Sequence, residues 1–136
     1  MFKYIFIILL ISVSAYSQDF NNVKLISVYD GDSITVDLDC DVPLFCKNAK
    51  IRISGIDTPE MRTKDKCEKK KAKEAKQFLI DLLDGEMTLK DCTRGKYFRA
   101  VCGVITKKGD VSTVLISKGL AYPYFGGTKR NVDWCK

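Results

Sequence analysis

The sequence predicts an α+β fold: a small five-stranded β-barrel with two main α-helices packed on it, stapled by disulfides. Three observations carry this. Short runs alternate apolar and polar residues, as in Ser33 to Leu38, where Ile34, Val36 and Leu38 share one face. Two longer windows repeat their apolar residues at helical spacing instead. Six cysteines, an even number, suit three disulfides in a small domain.

The elements follow in order. Val23 to Val28 reads as the first strand, with Val23, Leu25 and Ser27 on one face. Asp30-Gly31-Asp32 is a turn of the kind Asp and Gly favour. Ser33 to Leu38 returns as the second strand. Asp39 to Lys50 is a loop carrying Cys40, Pro43 and Cys46, and Lys50 to Ile56 is the third strand. In Asp57-Thr58-Pro59-Glu60 the residue types read as a helix start. Thr58 is a cap, Pro59 suits the first helical position, and Glu60 favours the positive end of the helix dipole. Cys67 to Leu83 is the main helix. Ala72, Ala75, Leu79, Leu82 and Leu83 form its apolar stripe, and lysines and glutamates cover its other face. Met87 to Cys92 and Arg99 to Ile105 are a strand pair around a polar turn. Val111 to Lys118 is the second helix, with Gly119 as its stop. The remaining tail, Tyr122 onward, is irregular and basic.

Residues 1–17 read as a secretory signal: a positive start at Lys3, an apolar run from Tyr4 to Val13, and small residues at Ala15 and Ser17. The other reading of this run is an uncleaved anchor. Residues 18–136 then form one domain, secreted or periplasmic, with no membrane association once the signal is cut and no feature that demands more than a monomer. The net charge of +6 attracts polyanions, nucleic acid foremost. In an oxidising compartment the cysteines pair. Locality suggests Cys40 with Cys46 and Cys92 with Cys102, which leaves Cys67 with Cys135. Other pairings stay open at this level.

Histidine is absent. That removes Ser-His and Cys-His nucleophile pairs, and with no CxxC motif a zinc site is not expected. The remaining residue types suit phosphodiester chemistry. Asp32 and Asp57 are hard oxygen ligands of the sort Ca²⁺ takes. Arg52 and Arg99 offer planar forks that grip a phosphate. Glu60 can orient or deprotonate a water. Each has a plain alternative as turn, cap or surface charge.

The segments VYDGDSITV, IRISGIDTPE and RGKYFRAVCGVI, in this order with the main helix between the second and third, resemble the staphylococcal nuclease (thermonuclease-like) family. VSTVLISKGLAYPY resembles that family's next helix and turn, so the resemblance runs from Val23 to Tyr124. It implies an OB-type barrel. It implies that Asp32, Asp57 and the Thr58 carbonyl ligate Ca²⁺, and that Arg52 and Arg99 hold the scissile phosphate. Glu60 takes the place of the general base, Lys96 and Tyr97 meet a neighbouring phosphate, and Tyr124 lies near the nucleotide. The implied reaction is hydrolysis of DNA and RNA, single strands preferred, with little sugar specificity and 3′-phosphate ends. The chain departs from the family pattern at Ser33, where threonine is frequent, at Phe98, where glycine is frequent, and in lacking a long C-terminal helix. Two other classes remain: a catalytically silent OB-type module that binds nucleic acid or protein, and a disulfide-rich effector aimed at a protein.

Overall fold

The computed structural model describes residues 16–136. The segment read as a leader lies outside the described residues except for Tyr16 and Ser17. Among the described residues, no helix is long and apolar enough to cross a membrane.

The first hairpin is β2 (Val23–Asp30) with β3 (Ser33–Leu38), preceded by a short edge strand, β1 (Gln18–Phe20). A single helical turn, α1 (Pro43–Cys46), sits in the cysteine loop. β4 (Ala49–Ile53) and β5 (Ile56–Asp57) follow. Helix α2 (Lys66–Leu82) leads to β6 (Met87–Arg94), β7 (Ala100–Thr106) and β8 (Gly109–Asp110). Helix α3 (Val111–Ser117) and β9 (Tyr122–Pro123) complete the fold. The main sheet runs β1-β6-β7-β4-β3-β2, with β8 added to β7, and β5 pairs separately with β9. Only β4 with β7 is parallel among the described pairs. The mixed sheet curls until β2 approaches β6, an OB-like half-barrel.

Four of the expected strands form; the third, expected over Lys50 to Ile56, is broken by a turn at Ser54-Gly55 into β4 and β5, and the main sheet has seven strands rather than five. The two additions, β1 and β8, are too short to show an alternating pattern. Both expected helices form, and the one-turn α1 joins them.

One expectation fails at Thr58. No helix starts there. Helix α2 begins eight residues later, at Lys66, and its cap is Asp65, whose carboxylate accepts from the N–H groups of Cys67 (2.8 Å) and Glu68 (3.2 Å). Thr58 is buried instead, only 3% exposed. Its side chain packs against Gly31, where an added Cβ would sit 2.9 Å from both Thr58 Cγ2 and Ala75 Cβ. The Asp30–Asp32 turn can approach α2 this closely only because residue 31 lacks a side chain.

A second departure lies in β2. Its pairing shifts register between Leu25 and Ser27 and again between Val28 and Asp30. The irregularity breaks the simple alternation. Val28 and Asp30 turn inward, and Ser27 faces out. The apolar side chains of Ile34, Val36, Ile51, Ile53, Leu79, Leu89, Val104 and Leu115 fill the core between sheet and helices. Deleting such a side chain costs about 2–5 kcal/mol.

The three disulfides are Cys40–Cys46, Cys67–Cys135 and Cys92–Cys102, as locality suggested. Cys92–Cys102 joins β6 to β7 inside the core. Cys67–Cys135 ties the tail to the first turn of α2 across 68 residues of sequence.

Candidate active site

The ladder between β3 and β4 positions the central pair. Ser33 is opposite Arg52, and the Ile53 N–H donates to the Asp32 carbonyl at 2.8 Å. These backbone bonds set the Asp32 carboxylate beside the Arg52 guanidinium. Arg52 Nη1 lies 3.1 Å from Asp32 Oδ1, and Nη2 lies 3.5 Å from Asp57 Oδ1. Nη2 also donates to the Ile56 carbonyl at 3.2 Å. One guanidinium thus spans two carboxylates, one from the β2–β3 turn and one from β5. Asp57 is held by β5, where it pairs with Tyr122 of β9.

Tyr124 packs on the other side of this arginine, its ring centroid 5.8 Å from the guanidinium carbon. Its N–H donates to the Gly55 carbonyl at 2.9 Å and its hydroxyl to the Gly127 carbonyl at 2.7 Å. Both ends of Tyr124 are therefore fixed against the cleft wall.

A cleft of about 1200 Å³ opens over Asp32, Arg52 and Tyr124, with Asp57 and Thr58 outside its lining. Asp32, Arg52, Glu60, Lys96, Arg99 and Tyr124 all line it. Arg99 stands at the end of the β6–β7 turn, and among the described residues its guanidinium meets no carboxylate. It lies 5.9 Å from the Tyr97 ring. Tyr97 itself is outside the cleft lining and 82% exposed. The turn that carries it is unusual. Tyr97 and Phe98 have φ of 58° and 56°, and the Arg99 N–H closes onto the Lys96 carbonyl at 3.3 Å. Both residues sit in the left-handed region that glycine occupies freely.

Glu60 is on irregular chain after Pro59. Its N–H donates to Glu68 Oε1 at 3.1 Å, and its carboxylate accepts from Lys129 Nζ at 3.0 Å. These bonds to α2 and to the tail do the work that a helix start was expected to do.

Two participants were not legible in the sequence. Asp30 read as a turn residue, yet it is 8% exposed and its Oδ1 accepts the Asp32 N–H at 3.2 Å. Burial, followed by the charge of Asp32, pushes its carboxyl up to about 6, against the pull of that N–H. The register shift in β2 that turns Asp30 inward has no sequence signature. Lys129 sat in a tail read only as irregular and basic. Its Nζ lies 2.8 Å from Asp57 Oδ1. Burial lowers its pKa, but the carboxylates of Asp57 and Glu60 outweigh that and hold it above the usual lysine value. The available hint was Gly126-Gly127, with φ of 99° and 83°, a reversal that sends the following residues back over the site.

The donors suit a divalent hard cation. Asp57 Oδ1 is buried among positive groups, with Lys129 Nζ at 2.8 Å and Arg52 Nη2 at 3.5 Å. A buried carboxylate oxygen already neutralised by positive charge is a hard donor of the type such an ion takes. Asp32 supplies a second carboxylate, 4% exposed. Among the described residues, no group of three or more His, Cys, Asp or Glu side chains is gathered around one point. Backbone carbonyls and water would therefore complete the shell of a hard divalent cation here.

The family model described as Staphylococcal nuclease homologue matches residues 50–133. The match includes Arg52, Asp57, Glu60, Arg99 and Lys129, and starts after Asp32. The protein named Probable endonuclease lcl3, from Schizosaccharomyces japonicus, is 39% identical over 84 residues, covering 56% of this chain. The chain spans only 36% of that relative's length.

Proposed function

Because the chain belongs to the family of staphylococcal nuclease homologues, we propose that it is a calcium-dependent endonuclease that hydrolyses DNA and RNA, leaving 3′-phosphate ends. One observation carries the reading: a cleft in which Arg52 is anchored between Asp32 and Asp57 while Arg99 projects free of any carboxylate partner among the described residues. An anchored arginine and an unpaired one can contact a single phosphate from two sides. In this reading Asp32, Asp57 and the Thr58 carbonyl hold the cation, which supplies positive charge against the phosphate when bound.

The chain's own residues do the rest. Arg52 keeps donors beyond those engaged by Asp32, Asp57 and Ile56, and these face the phosphate. Arg99 neutralises the charge that builds on the phosphoryl oxygens as water adds. Glu60 accepts the proton of that water. The bond from phosphorus to the 5′-oxygen breaks, that oxygen leaves as a hydroxyl with a proton from solvent, and the phosphate stays on the 3′ side. Lys96 meets the next phosphate, with Tyr97 beside it, and Tyr124 holds the Arg52 plane. A nucleic acid strand without a partner fits best, because its bases can turn outward from such a cleft. Secretion or export to the periplasm agrees with three disulfides.

The test is cleavage of a single-stranded DNA by the oxidised protein in calcium, in magnesium and in chelator. Cleavage in calcium that stops in chelator is expected. Binding without cleavage in all three conditions would replace the enzyme with a silent OB-type binding module.

A further inference from the structure

The tail crosses back over the site and is anchored on both sides of the crossing. Upstream, Tyr124 is bonded to Gly55 and Gly127. Downstream, Trp134 packs on Tyr122 with ring centroids 4.9 Å apart, and Cys135 is joined to Cys67 at the start of α2. Between the anchors, Lys129 reaches the carboxylates of Asp57 and Glu60 at 2.8 and 3.0 Å.

We propose that Lys129 is a positioning residue of this active site: its tethered ammonium bridges Asp57 and Glu60, holding Glu60 at the cleft while opposing a second cation at Asp57. The inference rests on the nuclease reading above. Glu60 needs such a partner. Its side chain is more than half exposed, it extends from irregular chain, and among the described residues its carboxylate has no other partner. Unheld, it would spread over several rotamers, and a base displaced by an ångström loses most of its effect. The same ammonium touches the oxygen that would ligate a metal, so its charge acts against metal affinity. Among the described residues the ammonium's ion-pair partners are these two carboxylates, and it is through them that Lys129, which also lines the cleft, acts in this proposal.

The two effects have opposite signs, and this makes the test decisive. Lys129→Ala and the longer Lys129→Met, each first checked for an unchanged melting temperature in chelator, should lower kcat by about tenfold or more with KM within about twofold. Calcium affinity, read by isothermal titration calorimetry on the DNA-free protein, should rise by about threefold or more. Lys129→Arg, which keeps the charge, should return both values toward wild type. An unchanged kcat overturns the proposal. So does a fall in kcat accompanied by weaker calcium binding, which would mark a merely structural role. If the wild type does not cleave, the proposed function fails, and the calorimetry alone decides Lys129. Tighter calcium binding in the variants then supports the bridge, and unchanged or weaker binding overturns it.

Discussion

Arg52 Nη1 and Asp32 Oδ1 are 3.1 Å apart, and the β3–β4 ladder sets that distance. Arg52 is thus both a phosphate-binding candidate and the counter-charge of two carboxylates. Its side chain is 17% exposed and that of Asp32 only 5%. Removing one partner of a pair this buried leaves a charge with little solvent to screen it.

Arg52→Ala and Arg99→Ala should therefore part company. Both should lower cleavage by about a hundredfold or more. Only Arg52→Ala should lower stability in chelator, by about 3 kcal/mol, because Arg99 has no carboxylate to abandon. Saturating calcium should recover much of the Arg52→Ala loss. Melting curves with and without calcium check this, and equal stability of the two variants in chelator would contradict it.

Gly31→Ala tests the approach of the turn to α2. A Cβ there meets Thr58 Cγ2 and Ala75 Cβ at 2.9 Å, closer than real side chains tolerate. A loss of about 1–3 kcal/mol is expected in urea denaturation. The added Ala75→Gly substitution, which removes one of the two clashing atoms, should not be additive with it. Full additivity would show that the contact does not limit this turn.

Phe98→Gly should stabilise the protein. Phe98 is 92% exposed and sits at φ 56°, so it contributes little packing and bears the cost of a left-handed backbone. A gain of about 0.5–1 kcal/mol is expected from thermal denaturation. A loss would mean that the exposed ring makes a contribution its surroundings do not reveal.

The disulfides should differ in worth. Cys67–Cys135 spans 68 residues and Cys40–Cys46 spans 6. By loop-closure entropy the first contributes about 4 kcal/mol and the second about 2. Cys67→Ser with Cys135→Ser should lower the melting temperature more than Cys40→Ser with Cys46→Ser. The reverse order would overturn the entropic ranking.

Asp30 should subtract from stability in chelator as pH rises from about 4 to about 6. Folded Asp30 keeps its proton to about 6, whereas the unfolded carboxyl loses it near 3.8. Between these values the folded protein binds more protons, so raising the pH favours unfolding. Asp30→Asn should flatten that window and raise stability at neutral pH by roughly 1–3 kcal/mol. Urea titrations of both proteins at three pH values measure the difference, and a gap between Asp30→Asn and wild type that does not widen with pH through the window would refute the assignment.

What the sequence by itself determined is what local chemistry controls. Alternation located the strands around Ile34, Ile51 and Val104, and helical spacing located Ala72, Ala75 and Leu79. The short separations of Cys40 from Cys46 and of Cys92 from Cys102 pointed to their pairing. The residue types at Asp32, Arg52, Asp57, Glu60 and Arg99 were visible as candidates, because each carries its chemistry in its side chain. Only the tertiary structure decided how they meet. A register shift in β2 buried Asp30, a glycine without a Cβ drew Thr58 into packing instead of capping, and a Gly-Gly reversal with a distant disulfide carried Lys129 to Glu60. Each depends on contacts between residues far apart in the chain. Periodicity and turn preference extend over only a few residues, and they do not encode which strand register or tail path buries the core best.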